Sequence, residues 1–317
     1  MSATKSRRVT TMLVVLVVLF SQFVTSAGAA PTALPASPVT FAILHTNDFH
    51  GQLEPSGSNP GSARIATYVN TVRTALGAGN VLLVDAGDKM QGSLLSNMTQ
   101  GEATIATYNA MDYKVATFGN HEFDWGQTVL SDRTVQANFP YVTANIVVND
   151  TGNCATAGWT PPAFADGPYQ IIEIGAAPNN VKVAFIGVTS AETPTITIAS
   201  ATAGLCFKDA ADSILHYYDQ MKTAGADVIV VLSHLGYNDG GYGYGIPVYG
   251  DKTLAQKLIA AGKPANLIIG GHSHTNMLTQ SPPLPGGYVV GPTTVGQAYY
   301  NGRQVGRADI TVQPDGT

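Results

Sequence analysis

Charge is scarce in this 317-residue chain: Asp, Glu, Lys and Arg make up 12% of it, and 16 basic residues face 21 acidic ones. The basic footprint of a nucleic-acid binder is therefore missing. An anionic ligand would have to be met by local cations, for which bound metal ions are the obvious source. Long apolar runs are missing as well, except for one at the N-terminus, so nothing downstream approaches membrane length. Only two cysteines occur, Cys154 and Cys206, which excludes a disulfide-dense scaffold and leaves room for a single bridge. No internal repeat is visible, and no linker divides the chain after residue 39.

What is present begins with a basic "MSATKSRR", an uninterrupted apolar "MLVVLVVLF" and small residues in an A-x-A arrangement ending at Ala29. That is the build of a secretory signal peptide over residues 1–29, with an apolar core short for a membrane span; an uncleaved anchor is the competing reading. The Leu-x-x-Cys of a lipoprotein signal is absent. Removing the segment takes away Lys5, Arg7 and Arg8 and no acidic residue, leaving 13 basic and 21 acidic residues, net −8, on 288 residues. The expected product is a monomer that is secreted, periplasmic or attached to the cell surface. In such an oxidising compartment a Cys154–Cys206 disulfide is expected over two buried thiols. Residues 30–38, "APTALPASP", read as a flexible leader, and 39–317 as one α/β domain large enough for a well-filled core.

Within that domain strands and helices alternate. "VTFAILHT", "NVLLVDAG", "KVATFG", "YVTANIVV", "DVIVVLSH" and "ANLIIGGH" read as strands, and "YQIIEIG" with "VKVAFIGVT" as a hairpin. "SARIATYVNTVRTAL", "EATIATYNAMDY", "WGQTVLSDRTVQ", "DAADSILHYYDQMKTAG" and "DKTLAQKLIAAG" carry apolar residues at helical spacing. The tail from Tyr288 reads as short strands with glycine turns. Apolar strands between helices imply a mostly buried sheet system with helices outside.

In open α/β folds the working residues lie on loops leaving the carboxyl ends of strands. Here that rule selects "NDFHG" (47–51), "DAGD" (85–88), "GNHEFD" (119–124), "SHLG" (233–236) and "GGHSH" (270–274), which hold five of the seven histidines. Their donors are Asp48, His50, Asp88, Asn120, His234, His272 and His274. Carboxylate, amide oxygen and imidazole together suit divalent zinc, manganese or iron. Seven donors are too many for one tetrahedral ion and suit two ions sharing a carboxylate, which can hold a bridging hydroxide and clamp the oxygens of a displacement at phosphorus. An Asp-x-His alone could cap a helix, and "GGHSH" alone could be a turn; all five in this order are specific.

The order of these motifs resembles the calcineurin-like metallophosphoesterase superfamily. The spellings "ILHTNDFHG", "GNHEFDWG" and "TVGQAYYNGRQVGRADI" look like its secreted 5'-nucleotidase branch, which includes UDP-sugar hydrolases and 2',3'-cyclic phosphodiesterases. The resemblance spans residues 39 to 312. It implies a four-layer α/β/β/α sandwich with a dimetal site at the strand C-terminal loops. It also implies that Asp48 and His50 bind the first metal with His274, that Asp88 bridges, and that Asn120, His234 and His272 complete the second. Asp85 is the rival bridge within "DAGD". His121 would face the phosphoryl group, with Asp124 one turn later holding its ring and its proton, while Glu122 supports the turn.

That branch usually carries a C-terminal nucleotide-binding domain, and this sequence stops at "VQPDGT", so that domain is expected to be absent from it, the chain being either a single-domain member or a fragment of a longer one. The expected activity is hydrolysis of phosphate monoesters, 5'-nucleotides first, with cyclic-nucleotide phosphodiesterase and UDP-sugar pyrophosphatase as alternatives. An inactive metal-binding secreted fragment is the non-enzyme alternative; His121 and Asp124, which metal binding does not require, favour the enzyme. His45 is expected to be a satisfied buried histidine, His216 a structural or exposed one, and Arg64 a helix-surface residue. "NMT" at Asn97 and "NDT" at Asn149 fit the glycosylation pattern.

Overall fold

Strand β1 (Val39–Thr46) is buried from Phe41 onward because the chain covers both of its faces. Phe41 and Ile43 point into one apolar cluster and Leu44 into another. The computed structural model describes residues 34–240 and 248–317, so residues 1–29 and the start of the leader lie outside the described residues. Ala36 and Ser37 of the leader donate backbone hydrogen bonds to Pro178 O and to the Asn179 side chain.

After β1 come α1 (Ser62–Leu76), β2 (Val81–Asp85), α2 (Leu94–Met98), α3 (Glu102–Ala110), β3 (Val115–Thr117) and α4 (Gly126–Gln136). Next are β4 (Tyr141–Val142), β5 (Ile146–Val148), β6 (Tyr169–Ala176), β7 (Asn179–Thr189), α5 (Thr193–Ile196), β8 (Leu205–Phe207) and α6 (Ala210–Thr223). The series ends with β9 (Val228–His234), α7 (Asp251–Ala260), β10 (Leu267–Gly270), β11 (Tyr288–Val290), β12 (Thr293–Gln297) and β13 (Gly306–Val312).

One sheet runs β13-β1-β2-β3-β4 and a second β11-β12-β10-β9-β7-β6, with β5 and β8 as a separate pair. Inner strands are parallel, while β13, β6 and β11 run antiparallel to their neighbours. Phe41, Ile43, Leu82, Val84, Val183, Phe185, Val230, Leu232 and Ile269 fill the space between the sheets. Each such side chain contributes about 1.5–3 kcal/mol of transfer free energy. Ile65, Val69 and Val72 of α1 pack on the outer face of the first sheet, and Ile214, Tyr217 and Met221 of α6 on that of the second. Both sets recur every three to four residues, which puts one stripe of each helix on its sheet. The result is the four-layer α/β/β/α sandwich.

"YVTANIVV" is not one strand. β4 is the edge of the first sheet and β5 pairs with β8, because buried Asn145 turns the chain between them. Its amide donates to Thr189 O (2.7 Å) and Lys208 O (3.1 Å) and accepts from Thr189 N (2.9 Å), which ties this corner to the end of β7. β8 carries Cys206, bonded to Cys154 with 5.3 Å between Cα atoms. His216 stacks on Trp159 at 4.2 Å, and Arg64 is exposed.

His45 is buried, but its Nδ1 has no hydrogen-bond partner among the described residues, so the expectation of a satisfied histidine fails. Its ring lies against Gly306, its partner across β1 and β13, where a side chain would collide with it. Burial lowers its pKa to about 4.

Two expected outcomes follow from this packing. Thiol titration of the denatured, unreduced protein finds no free sulfhydryl, and reduction costs about 4 kcal/mol of stability in the loop-entropy treatment of a 52-residue separation; two titratable thiols would contradict the bridge. Because the folded pKa of His45 lies below its unfolded value, the unfolded chain binds the proton first. This residue's contribution is therefore intact above about pH 6.5 and lost as pH falls towards 4. Raised carboxyls such as Asp85 and Asp251 act in the opposite sense over this window, so the His45 share is read as a difference. Between these pH values urea unfolding of the wild type should lose roughly 3 kcal/mol more than that of His45→Gln, and equal slopes in the two proteins would remove His45 as the cause.

Candidate metal centre

The five loops singled out from the sequence leave β1, β2 and β3 of one sheet and β9 and β10 of the other, and they meet at one end of the sandwich. The backbone there is strained. Asp48, His50, Asp88, His272 and His274 have φ of 47°, 50°, 55°, 75° and 50°, a region that non-glycine residues seldom enter. Such positions persist when the surroundings over-determine them, and they cluster at functional sites.

Asp48, His50 and His274 present ligand atoms within 4.8 Å of one another, and so do Asp88, His234 and His272. The groups adjoin, since Asp48 Oδ1 lies 3.4 Å from His274 Nε2 and 3.9 Å from His234 Nε2. His234 Nε2 is 3.0 Å from Asp88 Oδ2 without a directed hydrogen bond, and the buried Asn120 Oδ1 has no partner among the described residues. Among the described residues, Asp85 takes no part in either group. It accepts from Thr46 Oγ1 (2.7 Å) and Tyr108 OH (3.0 Å), and burial pushes its pKa up to about 6 against the pull of Lys89.

Hydrogen bonds aim the rings. His50 Nδ1 donates to Gln91 O (2.8 Å) and His234 Nδ1 to Ala86 O (2.7 Å), which leaves each Nε2 lone pair facing the centre. His272 is held instead through Nε2, 3.0 Å from Glu192 Oε1, which turns Nδ1 inward. Burial opposes the charged form of Asp88, yet His234, then His121 and His50, hold the carboxylate well below its usual range. Burial likewise works against a charged His234, but Asp88 and Asp48 push it up to about 10. That surplus of buried negative charge is what a cation would neutralise.

Glu122 accepts from the backbone N–H of Asp88 (2.7 Å), Lys89 (3.0 Å) and Gly119 (2.7 Å), binding the loops after β2 and β3 together. Lys89, fully buried, places Nζ 3.5 Å from both Glu122 and Asp85, donates to Thr117 O (2.8 Å) and lies over the Tyr141 ring. A Cβ at Gly119 would overlap the Asp88 carboxylate, so the close approach of these loops requires glycine. His121 sits beside the donors with its side chain 38% exposed, and its Nδ1 is 2.7 Å from Asp124 Oδ2. Burial disfavours its charge, but the Asp124 hydrogen bond and the Asp88 carboxylate raise its pKa to about 9.

All nine residues nominated from the sequence thus lie at this end of the fold. Sequence reasoning missed Glu192, Lys89 and Asn47. Glu192 was within reach of the rule used, because "SAET" follows the carboxyl end of β7. Nothing in the sequence marks Lys89 as buried.

The sequence profile described as calcineurin-like phosphoesterase matches residues 41–276. A 5'-nucleotidase of Bos taurus is 32% identical over 260 residues, covering 78% of this chain and 40% of that protein. The trifunctional nucleotide phosphoesterase protein YfkN of Bacillus subtilis is 31% identical over 301 residues, 86% of this chain and 18% of YfkN. A crystal structure of the calcineurin-like phosphoesterase YfkN superposes with a TM-score of 0.71 at 25% identity, covering 87% of this chain and 86% of that one. The 5'-nucleotidase precursor of Thermus thermophilus gives 0.68 at 29% identity, covering 88% of this chain and 52% of that one. This chain therefore spans 40% of the length of the bovine relative.

Replacing Glu122 with Ala leaves three backbone donors without their acceptor in a dry site and removes one of the two carboxylates beside the Lys89 ammonium. The expected cost is about 3–5 kcal/mol, read as a drop in the denaturant midpoint, with Glu122→Gln losing less. An unchanged midpoint would mean that the loops hold without the carboxylate.

Proposed function

The chain belongs to the calcineurin-like phosphoesterase family, and from that premise we propose that it is an exported, two-metal hydrolase of phosphate monoesters, with 5'-nucleotides as first substrates. One observation carries the reading: two adjoining donor groups, drawn from both sheets, with the His121–Asp124 pair beside them. The names of the bovine and Thermus relatives support a 5'-nucleotide substrate. The N-terminal signal pattern and the Cys154–Cys206 bond support export.

The residues fit a pair of divalent ions. The partnerless Asn120 Oδ1 and the inward-facing imidazole lone pairs are donors of the borderline kind that zinc, manganese or iron accepts. Asp48, His50 and His274 would hold one ion, Asn120, His234 and His272 the other, and Asp88 both. Bound there, the ions would supply positive charge to the phosphoryl oxygens and acidify a water nucleophile. The chain's own contribution is a positioned proton and a positioned charge. His121 Nδ1 gives its proton to the hydrogen bond with Asp124, which keeps the ring cationic and leaves Nε2 for a phosphoryl or leaving-group oxygen. The strained loops supply preorganisation, since their donors need not move when charge develops.

Metal analysis should return two ions per chain, and AMP should outpace a 2',3'-cyclic nucleotide, UDP-glucose and p-nitrophenyl phosphate with added Mn²⁺ or Zn²⁺. His121→Ala should keep both ions while hydrolysis falls by roughly 10² to 10⁴. Asp124→Asn should cost less, and Asp88→Ala should reduce metal content and activity together. A two-ion protein inert towards the whole panel would favour the metal-binding fragment instead. Loss of ions from His121→Ala, with normal specific activity in what remains loaded, would reverse the division of roles.

A further inference from the structure

Four of the five imidazoles at the centre have one ring nitrogen held by an acceptor: His50 by Gln91 O, His121 by Asp124, His234 by Ala86 O and His272 by Glu192. His274 is different. Its Nε2 lies 3.1 Å from His50 Nε2 and 3.4 Å from Asp48 Oδ1, and its Nδ1 has no hydrogen bond among the described residues. Burial does not fix the ring, since the side chain is 40% exposed. Instead it lies flat on Tyr300, with centroids 4.6 Å apart and planes 11° from parallel.

Tyr300 is itself braced. The Arg303 guanidinium lies 4.3 Å from its ring centroid, and Arg303 Nη1 donates to its hydroxyl (2.7 Å) while Nε donates to Asn59 Oδ1 (2.7 Å). The turn that carries it is strained: Tyr299 and Asn301 both have left-handed φ, 61° and 55°. That conformation is fastened to the loop bearing Asp48 and His50. Asn47 Nδ2 donates to Tyr299 O (2.6 Å), Ala298 N to Asn47 Oδ1 (2.7 Å) and Asn301 N to Asp48 O (2.7 Å). Gly302 fits against Phe49 and Ile65, where a Cβ would collide with both. The platform under His274 is thus built on the loop that supplies the other two donors of its group.

We infer that Tyr300, braced by Arg303, is the positioning residue for His274, doing by ring stacking what a hydrogen-bond acceptor does for the other four rings. The inference rests on the proposed reading of Asp48, His50 and His274 as one cation site. An aromatic face under a guanidinium is a rigid support. Unlike an acceptor it fixes the plane of the imidazole and not its tautomer, so this half of the centre depends on packing that one substitution can remove.

The test is calorimetric titration of the metal-stripped protein with Mn²⁺, in parallel with its melting in the absence of metal. The wild type takes up two ions. Tyr300→Ala weakens one step by about 10- to 100-fold, the usual effect of removing a support behind a ligand, and leaves the other step alone. Tyr300→Phe keeps the ring and stays within a few-fold of wild type, and Arg303→Ala falls between. If Tyr300→Ala does not fold, Tyr300→Leu, which keeps bulk without the aromatic face, carries the same expectation. A merely structural role would lower the metal-free melting point and weaken both steps equally, and that result overturns the inference, as do two unchanged steps or a Phe variant as damaged as Ala. A wild type that binds fewer than two ions defeats the two-metal reading itself, whereas two normal ions in both wild type and Tyr300→Ala defeat only the role of Tyr300.

Discussion

The Glu122 carboxylate receiving three backbone N–H groups from two loops is the contact on which the metal centre depends. It draws the loop after β2 against Gly119, and the bond from His121 N to Asp88 Oδ1 (2.9 Å) joins the same two loops a second time. A buried carboxylate carries a desolvation penalty of several kcal/mol, and it is tolerated only where hydrogen bonds and an opposite charge replace water. Both conditions are met here, by the three amides and by Lys89, whose own charge is shared with Asp85 and whose remaining donors reach Thr117 O. The dry ion cluster beneath the site and the strained loops above it are one construction.

A second constraint joins the sheets. Asn47, the last residue before Asp48, accepts from Ala298 N and donates to Tyr299 O and to the Asp48 carboxylate. One side chain thus ties the end of β1 in the first sheet to the chain leaving β12 in the second. His272 N, from the β10 loop, donates to both Asp48 oxygens at 2.9 and 3.0 Å. Asp48 is therefore positioned by loops from both sheets before any cation is considered, and its left-handed φ is the strain that these bonds hold in place.

Why the site sits at one end follows from topology. The strands of both sheets that carry the motifs are parallel within their sheet, so their carboxyl ends coincide, and the sandwich brings the two sets of ends together. The supports are graded: acceptors fix four imidazoles, and an aromatic ring steadies the fifth.

Much of this was already written in the sequence. Period and apolar run length put β1 and α1 at Val39–Thr46 and Ser62–Leu76 without correction, because an apolar strand and an amphipathic helix are local statements about which faces are buried. The convergence of Asp48, His50, Asp88, His234, His272 and His274 was legible too, since Asp and His at strand ends are chemistry that packing does not ask for. Other features were decided only by the tertiary structure. The break in "YVTANIVV" depends on what Asn145 meets 44 and 63 residues away, and the orphaned Nδ1 of His45 depends on which strand lies beside it. The engagement of Asp85 by Thr46 and Tyr108 depends on elements 39 and 23 residues away, and the support of His274 by Tyr300 spans 26 residues of sequence. A sequence fixes what each residue can donate, accept or bury; which partner it finds depends on distances that exist only once both sheets have closed on each other.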